Sequence, residues 1–355
     1  MIYREVGQFK SSYVADAQIF PIRQDRIGFF VIMALAYVGV PWLGSDYLFT
    51  GIMIPFLVLS LAALGLNILT GYAGQVSLGT AGFMAVGAFA TYNFILRVDG
   101  MPFLLAFFLA GLTAAAVGIV FGLPSLRIKG FYLSVATLAA QFFIEWVLTK
   151  FGWFTNYSPS GVISAQPMAM FGFVFDTPLR KYLLVLTIVT VMALLAKNLV
   201  RSKTGRAFMA IRDMDVAAEV IGIPMLKTKL LAFAISSFYC GVAGALYAYA
   251  YLGSVEPQAF DLNRSFQILF MIILGGLGTI VGAFFGAAFI ILLPIFMNLA
   301  AHAVFGGAVP TAILSNTELI VFGGLIILFL AVEPNGLARL WQIGKEKLRL
   351  WPFPH

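Results

Sequence analysis

Ionisable side chains are almost absent from the long apolar runs of this sequence, and that scarcity limits the chemistry open to it. Glu145 is the only one well inside a run; Glu318 and Glu333 sit at the edges of others. Charge at membrane depth is costly and marks function where it gathers, as in proton relays. A lone Glu145 leaves two readings open, a side chain reaching a polar interface or a member of a permeation path. His302 and His355 lie too far apart in sequence to suggest a metal site. Cys240 stands alone inside an apolar run and reads as a small buried packing residue. No nucleophile, base and orienting group come together, so no catalytic residue is expected. The phosphate-binding pattern Gly-x-x-x-x-Gly-Lys-Ser/Thr is missing, so nucleotide hydrolysis is not expected of this chain, and no cofactor is implied.

The polar groups that do occur at depth are neutral. Asn67, Thr70, Gln75, Ser77 and Thr80 surround the Gly-rich break Gly71-Tyr72-Ala73-Gly74-Gln75-Val76-Ser77-Leu78-Gly79. A second break runs Gly275-Gly276-Leu277-Gly278-Thr279. Non-helical backbone at membrane depth is tolerated only against protein or a water-filled cavity. Two roles therefore stay open for these side chains: satisfying freed backbone groups, or lining a pathway. Asn67, Gln75, Ser77 and Thr80 are the pathway candidates. A neutral lining suits a zwitterion, an amide or urea better than a strongly charged solute.

The elements that must carry these groups follow from composition. The chain has 355 residues, 61% hydrophobic and 10% charged, with a net charge of +7. A soluble domain carries roughly a quarter charged residues. So few charges point to an all-α integral membrane protein with a lipid bilayer as solvent, not to a nucleic-acid binder. A span needs about 20 apolar residues. Ten runs qualify, near 27–44, 51–70, 76–96, 102–123, 131–150, 181–198, 229–252, 265–280, 281–301 and 317–333; the third, eighth and ninth are Gly-rich and open to being broken. With the N-terminus cytoplasmic, ten crossings place 17 of the 22 Lys and Arg residues in cytoplasmic segments. The outer segments keep Arg97, Lys150, Arg180, Lys181 and Arg264. This asymmetry sets both termini on the cytoplasmic side. The chain divides into a polar tail at 1–26 without a signal-peptide core, a membrane region at 27–340, and a basic tail at 341–355. Small residues at helical spacing, Gly118 and Gly122, then Ser237, Gly241, Gly244 and Ala248, then Gly278, Gly282 and Gly286, form close-packing faces for the bundle or for a second membrane subunit.

Two loops stand out. The outer loop at 151–180 carries Trp153, Phe154, Tyr157, Phe171 and Phe173, and either lies on the membrane as an aromatic belt or docks another protein. The cytoplasmic loop at 199–228 predicts a short helix, with Asp213 or Asp215 as its cap, Ala217, Ala218 and Glu219 as helix formers, and Gly222 as its stop. Its two alanines give it a low profile, suited to a groove on another protein; an ordinary amphipathic connector is the alternative.

Ala217-Ala218 followed by Gly222 resembles the docking loop of ATP-binding-cassette importer permeases, although Val216 stands where that pattern has Glu. The wider set resembles the branched-chain amino acid permease family, specifically its M-type subunit. It comprises Asn67 to Gly79, Leu123-Pro124-Ser125-Leu126-Arg127, Gly205-Arg206-Ala207, Ile211-Arg212-Asp213, Ala217-Ala218-Glu219, Gly222-Ile223, Gly241 to Tyr247, Gly275 to Gly278 and Glu333-Pro334-Asn335-Gly336-Leu337, in family order. Thr80 departs from the His often found at its position, which bears on substrate and not on family. The resemblance implies an importer in which this chain and an H-type permease form the pore. Two ATPase subunits bind below, and a periplasmic solute-binding protein delivers the solute. Arg206, Arg212, Asp213, Ala217, Ala218, Glu219 and Gly222 would then contact the ATPases. Urea, short amides and aromatic acids are cargoes of similar permeases. A stand-alone carrier or channel is the rival of another class.

Overall fold

Apolar runs in lipid must bond their own backbone groups, and helices do so within one segment. The computed structural model describes residues 11–12, 18–20, 23–125, 131–170, 173–305 and 335–350, with isolated positions between 317 and 331. Among these, seven helices are long and apolar enough to cross a membrane: α1 (Asp25–Leu43), α2 (Leu48–Tyr72), α4 (Phe103–Leu123), α5 (Tyr132–Lys150), α6 (Pro178–Arg201), α9 (Met225–Leu252) and α11 (Ile280–Ala301). Between them lie α3 (Thr80–Arg97) and α10 (Leu262–Gly275). Two short helices, α7 (Lys203–Asp213) and α8 (Asp215–Val220), follow α6, and α12 (Leu337–Leu350) closes the described chain. The result is a helical membrane bundle.

Two expected spans are shorter than their apolar runs. The run at 76–96 turns helical only at Thr80, and the run at 265–280 stops at Gly275. At 1.5 Å per residue α10 reaches about 21 Å, short of a bilayer core. The ninth run, also Gly-rich, forms the full-length α11. Of the tenth, near 317–333, ten positions are described and all are helical, while Arg127, Lys129, Glu318 and Glu333 lie outside the described residues.

The bundle is built around α2 and α9, 83% and 72% buried, while α1 is wholly peripheral at 0%. Small residues explain the close approach. A Cβ on Gly244 would collide with the Met84 carbonyl of α3, and one on Gly87 with the Gly241 carbonyl of α9. Gly118 of α4 faces the Ser237 side chain, and Gly122 faces Phe233. These two faces are therefore spent on internal packing, which is what drives association in lipid. The third face needs correction. Gly282 and Gly286 do lie on α11 and abut the Gly275 and Met271 carbonyls of α10, but Gly278 sits in the preceding turn at φ +72°. Cys240 is buried, its Sγ 3.9 Å from the Ala62 carbonyl.

Segments far apart in sequence meet at two ends. At one end Lys197 lies 3.4 Å from the centroid of the Phe20 ring, and Lys345 of α12 pairs with Asp25 of α1. At the other, the loop after α5 folds onto the bundle. Arg97 stacks on Trp153 at 3.5 Å and donates to its carbonyl, and Asn93 donates to the Phe154 carbonyl at 3.1 Å. Strand β1 (Ile163–Ser164) pairs antiparallel with β4 (Ser254–Val255), after the small hairpin β2 (Ala169–Met170) and β3 (Phe173–Val174). The loop is thus tied to α3 and to the end of α9. Gly244→Ala drives a Cβ into the Met84 backbone and should cost about 1–3 kcal/mol, the range for overpacking, whereas Gly118→Ala clashes with the Ser237 side chain, both Oγ and Cβ, and should cost less. Thermal unfolding of the two variants in detergent should rank them in that order.

Candidate functional site

The two Gly-rich breaks, more than 200 residues apart in sequence, lie against each other. The first begins where α2 loosens: Ala73 N–H reaches the Ile68 carbonyl at 3.3 Å, a wide turn that consumes one extra residue. Such turns recur at functional sites. Gly74 then takes φ +69°, and Gln75 N–H returns to the Leu69 carbonyl at 3.0 Å, closing the helix end. The second break ends α10 at Gly275 and turns through Gly276 and Gly278 before α11.

Asn67 joins them. Its Nδ2 donates to the Thr279 carbonyl at 2.7 Å, and its Oδ1 accepts from Gly278 N–H at 2.9 Å. One buried amide satisfies both a donor and an acceptor freed by the second break. A Cβ on Gly71 would overlap both the Asn67 side chain and Gly278 N, so glycine is what lets the two turns touch. On its far side the second break meets the C-terminal segment, where a Cβ on Gly276 would come within 2.6 Å of the Asn335 carbonyl and 3.0 Å of the Ala338 side chain.

Helix α3 begins inside the bundle, and its first amides are capped by neighbours. Leu78 N–H donates to Thr137 Oγ1 at 2.9 Å, Ala81 N–H to Ser265 Oγ at 2.9 Å, and Gly82 N–H to Gln141 Oε1. Gly79 N–H goes to Ser77 Oγ at 3.3 Å. Gln141 Nε2 also donates to the Phe260 carbonyl at 2.7 Å. The helix N-terminus is thus closed to an anion by neutral side chains. Thr137, Gln141 and Ser265 were not singled out in the sequence. Gln141, an amide in the middle of an apolar run, was the available signal.

The pathway candidates therefore divide. Asn67 and Ser77 hold backbone, as does Thr70, whose Oγ1 donates to the Gln75 carbonyl at 3.1 Å. Gln75 Oε1 and Thr80 Oγ1 are buried without a hydrogen-bond partner among the described residues. These two keep unspent hydrogen-bonding capacity. Glu145 is half-buried on α5, one turn beyond Gln141 and within electrostatic reach of Asp261.

The loop after α6 also departs from expectation. Ser202 caps α7, its Oγ accepting from Gly205 N–H at 3.3 Å. Neither Asp213 nor Asp215 caps α8; Met214 occupies that position without a side-chain bond, and Gly222 stops the turn at φ +87°. Ala218 is buried against the bundle, whereas Ala217 is exposed beside Val216, Val220 and Ile221, 67%, 82% and 74% exposed. Arg206 and Glu219 lie on the exposed surface. Arg212 turns inward: Nη1 donates to the Gly71 carbonyl at 2.9 Å, while Nε pairs with Asp213 at 2.8 Å. The Arg212 side chain still keeps 36% of its surface exposed beside Asp213 at 66%.

The family model described as "Branched-chain amino acid transport system / permease component" matches residues 48–330. The chain is 29% identical to the high-affinity branched-chain amino acid transport system permease protein LivM of Salmonella typhimurium, over 86% of this chain and 74% of that one. It is 29% identical to the protein of the same description from Escherichia coli, over 77% of this chain and 66% of that one. A probable branched-chain amino acid transport permease protein LivM of Methanocaldococcus jannaschii is 24% identical over 78% of this chain and 89% of its own. No solved structure matches the chain. Replacing Gln141 by Leu leaves Gly82 N–H and the Phe260 carbonyl bare, at about 1–3 kcal/mol for each buried group. The variant should unfold at lower temperature in detergent than Ser265→Ala, which strands only the Ala81 amide.

Proposed function

Because this chain belongs to the family of branched-chain amino acid transport system permease components, we propose that it is the M-type membrane subunit of an ATP-binding-cassette importer for branched-chain or related amino acids. It is a permease component and not an enzyme. It forms the translocation pathway with an H-type permease in the inner membrane of a bacterium. Two ATPase subunits dock at the end that carries α7 and α8, and a periplasmic solute-binding protein delivers the solute to the end that carries the β strands. Both termini then face the cytoplasm.

The observation that supports this reading most directly is the ridge on α8. Val216, Ala217, Val220 and Ile221 stand exposed in a segment that also displays Arg206, Asp213 and Glu219. An apolar ridge with a charged rim is what a protein interface presents. ATPase closure would move this ridge and alternate the access of the pathway. The side chains around the α3 N-terminus, Gln75, Thr80, Thr137, Gln141 and Ser265, are all neutral, which favours a zwitterion over a strongly charged solute.

Val220→Glu and Ala217→Arg, both on the exposed ridge, should leave membrane insertion intact yet weaken ATPase capture by about 30-fold, the effect of losing a 2 kcal/mol contact. Co-purification with the partner permease and both ATPases, together with uptake in proteoliposomes, reads this out. Full capture and full uptake would sink the docking assignment. Isolation of the wild-type chain alone or as a homo-oligomer, active without ATP, would favour a stand-alone carrier. Ala218→Arg should instead lower the yield of folded protein, because that side chain is buried. A ligand screen on the cognate solute-binding protein should return neutral amino acids; urea, short amides or aromatic acids would change the cargo within the same architecture.

A further inference from the structure

We infer that Arg212 is a positioning residue that carries movement of the α7–α8 segment to both helix breaks at once. This deepens the importer reading above and rests on it. Arg212 is the penultimate residue of α7, and Asp213 alone separates it from the Met214 turn into α8. Its guanidinium occupies the space between the two breaks. Nη1 holds the Gly71 carbonyl at 2.9 Å, and a Cβ placed on Gly278 would come within 3.1 Å of the same nitrogen. The stem of the side chain lies along Gly74, where a Cβ would meet Arg212 Cγ at 2.9 Å and Cα at 3.2 Å. Asp213 fixes the orientation of the guanidinium through Nε. From Gly71 the connection continues through Asn67, one turn earlier on α2, to Gly278 N–H and the Thr279 carbonyl.

Three physical features make this a strut. The bond to Gly71 is charge-assisted and so stronger than one between neutral groups. The rigid fork of arginine bonds a carboxylate and a carbonyl together, whereas lysine offers a point charge on a flexible stem. Residues 71, 74 and 278 are glycines, so the guanidinium bears on backbone with no side chain to absorb a shift. A displacement of α8 by a bound ATPase then moves the C-terminal end of α2 and the turn between α10 and α11 together.

The test uses the complete importer, with partner permease, ATPases and solute-binding protein, reconstituted in proteoliposomes. Arg212→Ala, Asn67→Ala and the double variant are compared for ATPase co-purification, ATP hydrolysis and solute moved per ATP. ATPase binding should match wild type, and hydrolysis should stay within about twofold, while solute moved per ATP falls about tenfold in each single variant. Because both residues belong to one connection, the double variant should be no worse than either single. Arg212→Lys, which retains one donor, should recover part of the loss. Should Arg212→Ala fail to accumulate in the membrane, Arg212→Gln takes its place with the same expectation. Unchanged solute per ATP, additive losses, or parallel loss of hydrolysis and uptake would each overturn the strut. If wild type is active and only these outcomes appear, the importer reading stands and the strut alone falls. A wild-type chain that neither retains ATPases nor takes up amino acid would bring down both.

Discussion

Backbone that leaves a helix inside a membrane must find its hydrogen bonds in protein, because lipid offers none. In this chain the constraint falls on two Gly-rich turns and on the start of α3. One side-chain amide, Asn67, answers for the second turn by both donating and accepting. Thr137, Gln141 and Ser265 answer for the amides at and just before the start of α3. Without these partners the breaks would expose bare amides, and a continuous helix would be the better use of the same residues. The arrangement of α2, α3, α10 and α11 depends on that exchange. A few neutral side chains make interruption of the helices affordable.

The strength of the remaining packing comes from absence of side-chain bulk. Lipid supplies no hydrophobic drive between helices, so contact must be close to be stable. Gly87 and Gly244 let α3 lie against α9, and Gly282 and Gly286 let α11 lie against α10. The peripheral α1 is held differently, by polar contacts with α6: Tyr37 donates to Thr187 at 3.1 Å, and Tyr182 donates to the Ala36 carbonyl at 2.9 Å. Its outer face remains available to lipid or to another membrane chain.

Much of this was legible in the sequence, and the limits have physical causes. Composition and run length identified a helical membrane protein, and the glycine clusters marked both breaks. The stop at Gly222 followed from its freedom to take positive φ. The partners of the breaks were not legible, because the Asn67 amide and the Gly278 amide are 211 residues apart and nothing local links them. Helical spacing also misled where the helix had already ended, as at Gly278. In the loop after α6, one residue of register decides that Ala218 is buried and Ala217 exposed, and a helix of six residues is too short for periodicity to settle this. Arg212 is a good helix-ending residue whether it points outward or inward. Only the fold shows that its partner is the Gly71 carbonyl.

The capped start of α3 bears on how long a passing molecule would dwell. A helix N-terminus is worth about half a positive charge and ordinarily makes a deep well for a carboxylate. Here its amides are already occupied by neutral oxygens. Two of the buried oxygens left without a partner among the described residues, on Gln75 and Thr80, belong to this helix start and the break before it, and each offers a single weak contact. Were the proposed pathway to pass this helix start, a shallow energy profile of this kind would favour fast release over tight retention. Discrimination between solutes would then fall to whatever hands them over at the entrance, and the membrane interior would serve as a low-friction passage.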